Sequence, residues 1–431
     1  MRLTVVGGGL AGVEAAYQML KRGYAVDLYE MRPSKTTPAH RTGDLAELIC
    51  SNSLKSEAPD TAQGALKAEM RMADSLILKA ADLSRVPAGG ALAVDRGLFS
   101  QSVGKLLKQF SNLAIIRDEV TEIPSEAVVA PGPLASDAIA RAIAERTGKD
   151  GLHFFDAVAP IVTAESVDMR YAFYGARYGK GTPDYLNCPM SEAEYLAFRE
   201  ALVSAETVVL HSFEKGDVFE GCMPVEVMAK RGVDTLRFGP LRPVGIYDAD
   251  GKRAYAVVQL RKEDNHDGLL NLVGFQTNLK FGEQKRVFSM IPALRDAEFV
   301  RYGVMHRNTY LDSPGFLDAA FGVIGSPTTF FAGQITGVEG YMESAMSGMI
   351  AGINLVRRLE GKPDFLPPPT TMCGSLARYV AAPNTAFQPM HVSFSLLPPL
   401  GFKAGGKAER KRAYAERAVK DFQKYIEEVQ L

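Results

Sequence analysis

The stretch that most constrains this chain is its first thirty-two residues, MRLTVVGGGLAGVEAAYQMLKRGYAVDLYEMR. Leu3 to Val6 reads as a short apolar strand, and Gly7-Gly8-Gly9-Leu10-Ala11-Gly12 as a G-x-G-x-x-G turn. An amphipathic helix is predicted from about Ala11 to Arg22, stopped by Gly23, with a second strand from Tyr24 to Tyr29. Each part has a physical task. Gly7 permits the tight turn, Gly9 lets the backbone approach a pyrophosphate, and Gly12 allows close helix–strand packing. The helix N-terminus directs unpaired N–H groups and partial positive charge at that phosphate. Glu30 ends the second strand, where an acid accepts a hydrogen bond from a ribose hydroxyl. An acid there favours an adenosine with a free 2′-hydroxyl, FAD or NAD rather than NADP.

A second strand–glycine–helix pattern appears more than three hundred residues later. Thr328 to Ala332 reads as a strand, Gly333-Gln334-Ile335-Thr336-Gly337 as a turn, and Gly340-Tyr341 opens a helix to about Leu359. The economical fold is α/β: one Rossmann-like dinucleotide domain interrupted by an α+β insertion with an antiparallel sheet. The pattern shifts place the parts at 1–155, 156–300 and 301–431. In the first part, Thr61 to Leu83 reads as one helix, and Leu98 to Phe110 and Ser136 to Arg146 as two more. In the insertion, Ser191 and Glu194 form a capping box, and Thr235 to Phe238, Tyr255 to Leu260 and Leu269 to Phe275 read as strands. A Pro-rich linker, Pro363 to Pro369, leads to a basic helix from Lys403 to Lys424.

Two glycine turns imply a large cofactor held at both ends. The second turn can aim a helix N-terminus at a flavin's N1–C2=O region, which carries negative charge when reduced. Gly7, Gly8, Gly9, Leu10, Ala11, Gly12, Glu30 and Arg32 are the candidate contacts at one end, and Gly333, Gln334, Thr336, Gly337 and Tyr341 at the other. Tyr341 either stacks on the ring or fills a gap.

The four cysteines are widely spaced with no C-x-x-C pair, which argues against zinc and a disulfide framework and fits a reducing cytosol. Cys188 and Cys373 read as small buried hydrophobes. Cys50, in polar Ser51-Asn52-Ser53 surroundings, and Cys222, in a Gly221/Pro224 turn between Glu220 and Glu226, are each either buried or reactive. His306, in His306-Arg307-Asn308, either lines a site or sits on the surface. No H-x-x-x-H or H-E-x-x-H pattern occurs, so no metal is expected. The N-terminus does not read as a signal peptide, and no apolar run is long enough for a bilayer, so a cytoplasmic protein is expected. Net charge is −1, so a nucleic-acid partner needs a local basic patch. The terminal helix, with Arg410, Lys411 and Arg412, is such a patch or an ordinary solvated face.

GGGLAGVEA at Gly7, YEMRP at Tyr29, TPAH at Thr37, ICSNSLKSE at Ile49 and VPAGGALAVDR at Val86 resemble the folate- and FAD-dependent tRNA (uracil-5-)-methyltransferase family. So do YLNCPM at Tyr185, CMPVE at Cys222, LVGFQTNLK at Leu272, YGVMHRNTYL at Tyr302 and GQITGVEGYMESA at Gly333. The similarity covers nearly the whole chain. One departure is Pro131, where an Ala-Thr-Gly-Pro return would carry Thr. The resemblance implies methylation of carbon 5 of a T-loop uridine (position 54) in tRNA. The methylene unit comes from methylenetetrahydrofolate through FAD, and NAD(P)H restores the flavin. It implies Cys222 as the nucleophile toward carbon 6 of uracil and Cys50 as its helper. It places His306, with Asn308, near the pterin, and Arg410, Lys411 and Arg412 near the RNA backbone. The uridine must be unstacked and flipped toward the flavin. The same chemistry on ribosomal RNA, or a non-methylating RNA-binding flavoprotein, are the alternatives at this stage.

Overall fold

The computed structural model describes residues 1–37, 39–148, 152–157, 159–208, 223–248, 250–263, 268–303, 305–385, 387–402 and 404–431, with backbone only for 152–157 and 305–309. Its first layer is a five-stranded parallel sheet. The order is Thr329–Phe331, Ala127–Val129, Arg2–Val6, Ala25–Tyr29 and Leu113–Ile116. Leu3, Val5, Val26, Leu28, Val128 and Phe330 are all fully buried. Such near-continuous apolar runs are what a parallel sheet covered on both faces requires.

The opening helix, Leu10–Leu20, lies against the return helix, Tyr341–Leu359. Their seam is made by small residues. A Cβ on Gly348 would stand 2.0 Å from the Ala11 carbonyl oxygen, and one on Gly352 would stand 2.6 Å from that of Ala15. The two backbones therefore approach as closely as glycine allows. This seam brings both helix N-termini to one edge of the sheet.

The second layer is a six-stranded antiparallel sheet. Its order is Phe173–Gly175, Tyr185–Met190, Ala256–Lys262, Leu269–Leu272, Ile161–Thr163 and Phe299–Arg301. Helices Glu192–Ser204, Val225–Lys230 and Phe281–Phe288 cover it around a separate core that includes Phe198, Phe275 and Phe288. The two layers are joined by a two-stranded ladder, Leu152–Ala157 with Met305–Tyr310. The Ser191/Glu194 capping box is present with both reciprocal hydrogen bonds.

Two sequence expectations are corrected. Thr61 to Leu83 is two helices, Ala62–Met72 and Leu76–Asp82. Asp74 adopts φ +64° between them, which Asp tolerates better than most residues. Ser75 then caps the second helix, and the buried Glu14 carboxylate accepts from Ser75 Oγ and the Leu76 and Ile77 N–H groups. Thr235–Phe238 is a short helix rather than a strand, and it buries Leu236 while leaving Phe238 exposed. The terminal helix runs Lys407–Val429 and buries Ala415, Ala418 and Phe422. No helix among the described residues is long and apolar enough to cross a membrane.

Candidate functional site

A cavity of about 530 Å³ runs along the edge where the two glycine turns meet. At one end it is lined by Gly7, Gly8, Gly9, Leu10 and Ala11 together with Glu30 and Arg32. The turn has no room for side chains where it folds back. A Cβ on Gly7 (φ +99°) would lie 2.1 Å from the Ala130 carbonyl oxygen, and one on Gly12 would lie 1.8 Å from that of Gly7. Gly9 has open space where a Cβ would stand. Gly12 thus packs helix on strand behind the wall, and Gly9 leaves the approach to the backbone clear. This is the cradle a pyrophosphate needs, so the residues fit a dinucleotide such as FAD.

Glu30 is already heavily engaged. Its Oε1 accepts from Arg32 N–H and Nε, each at 2.9 Å, and its Oε2 accepts from Gly8 N–H at 3.1 Å and Arg32 Nη2 at 3.0 Å. Burial raises its pKa, but Arg32 and the Gly8 N–H outweigh burial and hold it below the usual carboxylate range. Arg32 in turn binds Glu47 at 2.9 Å and the Thr42 and Asp44 carbonyls. A ribose hydroxyl would therefore share Glu30 with Arg32. The polar loop after the second strand supplies Thr37, His40 and Glu47 to the same wall.

The other end is lined by Gly333, Gln334, Gly340 and Tyr341, with Cys50, Ser51 and Lys55 opposite. Gly333 and Gly340 adopt φ +86° and +119°, which side chains disfavour. Thr336 and Gly337 stand behind this wall. The Thr336 hydroxyl donates to the Gly333 carbonyl, and Gly337 (φ +85°) ends the turn. In the first turn of the return helix, Glu343 is buried and its Oε2 has no hydrogen-bond partner among the described residues.

Cys50 sits in a loop clamped by distant side chains. The Tyr341 hydroxyl accepts from the N–H groups of Cys50 (2.8 Å) and Ser51 (3.1 Å). Arg96 donates to the Leu48 carbonyl (2.8 Å) and pairs with buried Glu263 (2.8 Å). Arg301 donates to the Ile49 carbonyl (2.7 Å), and Arg261 to Ser51 Oγ (2.9 Å) and Asn52 Oδ1 (3.0 Å). Burial, then the nearby Arg96 and Arg41, push Arg301 down to about 10. Burial pushes the Tyr341 phenol up. The loop that carries Cys50 is thus held by three arginines and a tyrosine drawn from separate elements. Burial pushes the Cys188 thiol up to about 12, and Cys373 is fully buried beside Glu69.

Other expected site residues fall elsewhere. Cys222 lies outside the described residues. His306 and Asn308 stand opposite Asp156 and Phe154 in the connecting ladder, and their side chains are outside the described set. Arg410 and Lys411 line a second groove, and Arg412 is exposed on the terminal helix. Lys55, Gln63, Gln276 and His391 in the cavity wall, and the three arginines of the Cys50 clamp, are functional positions that are not among the sequence candidates. A visible signal existed for Arg96, which follows the helix-capping Asp95 at a strand end. Lys55 and Gln276 lie within the ICSNSLKSE and LVGFQTNLK runs, and no local pattern marks the others.

A family model described as glucose inhibited division protein A matches residues 2–363. A protein of Desulfitobacterium hafniense named methylenetetrahydrofolate–tRNA-(uracil-5-)-methyltransferase TrmFO is 54% identical over 427 residues, 98% of each chain. The protein of that name from Moorella thermoacetica is 55% identical over 97% of each chain. This chain belongs to that methyltransferase family. Among solved structures, GidA of Aquifex aeolicus in its form II crystal superposes with a TM-score of 0.71 at 15% identity, covering 100% of this chain and 76% of the other. At that identity the likeness speaks for the fold, a Rossmann-like α/β domain with an insertion.

Proposed function

We propose that this protein methylates carbon 5 of a T-loop uridine in tRNA, in the cytoplasm, using methylenetetrahydrofolate as carbon donor, FAD, and NAD(P)H as reductant. Bound FAD supplies the electron pair that takes the transferred one-carbon unit to the methyl level. Gly7 to Ala11 hold its pyrophosphate and Glu30 with Arg32 its ribose side. Gly333, Gln334 and Tyr341 hold the other end, on a turn shaped by Thr336 and Gly337. The division at 1–155, 156–300 and 301–431 then places the cofactor in the first and last parts. The separate core drawn from Ala159 to Ala297 supports that division.

Carbon 5 of uracil is a poor nucleophile. The Cys222 thiolate adds to carbon 6, and the displaced electron pair makes an enolate that activates carbon 5. Carbon 5 then bonds to the one-carbon unit as that unit's bond to its carrier breaks, the carrier keeping the electron pair; loss of the carbon-5 proton and expulsion of the Cys222 thiolate restore the 5,6 double bond. Cys50 is the helper beside the cofactor, held by Tyr341 and the three arginines. His306 and Asn308 serve the folate, and exposed Arg412 and Lys420 serve the RNA backbone, read by charge and shape.

The observation that carries this reading is Cys50 in the cavity wall facing the second glycine turn. Mass spectrometry of tRNA transcripts, with and without methylenetetrahydrofolate, tests it. Methylation is expected with folate alone among the carbon sources. Cys50→Ala and Cys222→Ala should each lower it at least about 10²-fold while FAD stays bound. Full activity in either variant removes that cysteine from the mechanism.

A further inference from the structure

A second groove of about 490 Å³ adjoins the cofactor cavity and shares Gln63 and His391 with it. One wall is the terminal helix. Lys407, Arg410, Lys411 and Tyr414 follow each other at helical spacing and face the groove together. Opposite stand Thr61, Ser393 and Ser395. No carboxylate among the described residues lines it. The one acid near this end of the helix, Glu409, is turned to the Gly405 N–H at 2.6 Å. Lys407, Arg410 and Lys411 make no ion pair among the described residues. Phe394 and Tyr414 stack at 5.8 Å and 17°.

The partition between groove and cavity is thin but fixed. Gln63 Nε2 donates to the Val392 carbonyl at 3.5 Å, and the Val392 N–H donates to Glu343 at 3.3 Å. The Met390 N–H donates to the Gly337 carbonyl at 2.9 Å. The groove therefore opens from the end of the cavity that holds Gly340 and Tyr341, not from the pyrophosphate end. An anionic chain attached to a ring in that cavity would leave apolar surroundings for three unpaired cations and a row of hydroxyls.

We propose that this groove binds the oligo-γ-glutamyl tail of the folate co-substrate. The inference rests on the methyltransferase reading above. The tail begins at the ring that must meet the flavin, and its carboxylates recur along a flexible chain. A recess of this size admits such a chain, whereas an RNA duplex needs an open face such as the one carrying Arg412 and Lys420.

Equilibrium dialysis of the FAD-loaded full-length protein against tetrahydrofolate carrying one or four glutamates tests this. Wild type is expected to bind the tetraglutamate about tenfold more tightly, the size of two or three partly exposed ion pairs. Lys407→Ala/Arg410→Ala/Lys411→Ala should bring the two within about twofold. Lys420→Ala/Lys424→Ala, which removes charge elsewhere on the same helix, should keep the ratio. Equal affinities in wild type, or a ratio unchanged in the triple variant, overturn the tail site. A triple variant that loses tRNA affinity but keeps the ratio assigns the groove to RNA instead. Methylation supported by the monoglutamate alongside equal affinities overturns the tail site alone, and absence of any folate binding overturns both readings.

Discussion

At the pyrophosphate end of the cavity the wall is largely main chain from consecutive glycines, whereas around Cys50 it is held by side chains from separate elements. The first end is set by local geometry: strand, turn and helix follow each other in a dozen residues. The second is assembled by Arg96 after a strand, Arg261 and Arg301 from the antiparallel sheet, and Tyr341 from the return helix. A main-chain cradle tolerates little change of shape but carries few charges. A side-chain clamp can be retuned one residue at a time, at the cost of burying ions that must stay paired.

The sharpest way to separate the two is to unpair the clamp. Arg96→Ala leaves Glu263, whose side chain is 3% exposed, without its ion pair. The expected loss is about 3–5 kcal/mol in denaturant unfolding. Replacing Glu263 with Gln in the same chain should restore part of it. A loss under about 1 kcal/mol would show that the clamp does not hold the Cys50 loop as described.

The corresponding change at the other end is smaller in stability and larger in ligand. Gly12→Ala forces a Cβ to within 1.8 Å of the Gly7 oxygen, so the turn must shift. About 1–3 kcal/mol is expected, with flavin content falling in the purified protein. Normal flavin content in this variant would mean that the cradle is not set by that packing.

The smallest effect distinguishes the ends by pH. Glu30 is held below the ordinary carboxylate value of 4.5, so its pairing with Arg32 contributes fully above about that pH and fades as pH falls through the lower folded value. Acid titration of wild type against Glu30→Gln should show this component in wild type alone. If the two curves coincide, Glu30 is not the acid-sensitive group of this end.

The same contrast explains what was legible. The glycine turns, the capping box and the parallel and antiparallel layers rest on short-range rules: φ preferences, cap chemistry and apolar periodicity. Cys50 was visible as a thiol in a polar loop, but the arginines that hold that loop come from separate elements, which no local pattern connects. Glu30 was visible as an acid in the right place, but not that Arg32 occupies it. Thr61 to Leu83 read as one helix because both helices bury the same side and nothing in the composition marks Asp74 as left-handed. Thr235 to Phe238 misled because four residues cannot distinguish a period of two from one of 3.6.

The strand order has a consequence for how the protein is made. Ala127–Val129 gains its outer neighbour from Thr329–Phe331, and the opening helix gains its glycine-lined partner later still. Until the ribosome has delivered those residues, the nascent first half carries an open parallel edge and half a cavity. Cofactor capture therefore comes near the end of synthesis, and the waiting edge is the place where a premature chain is most exposed to pairing with another copy.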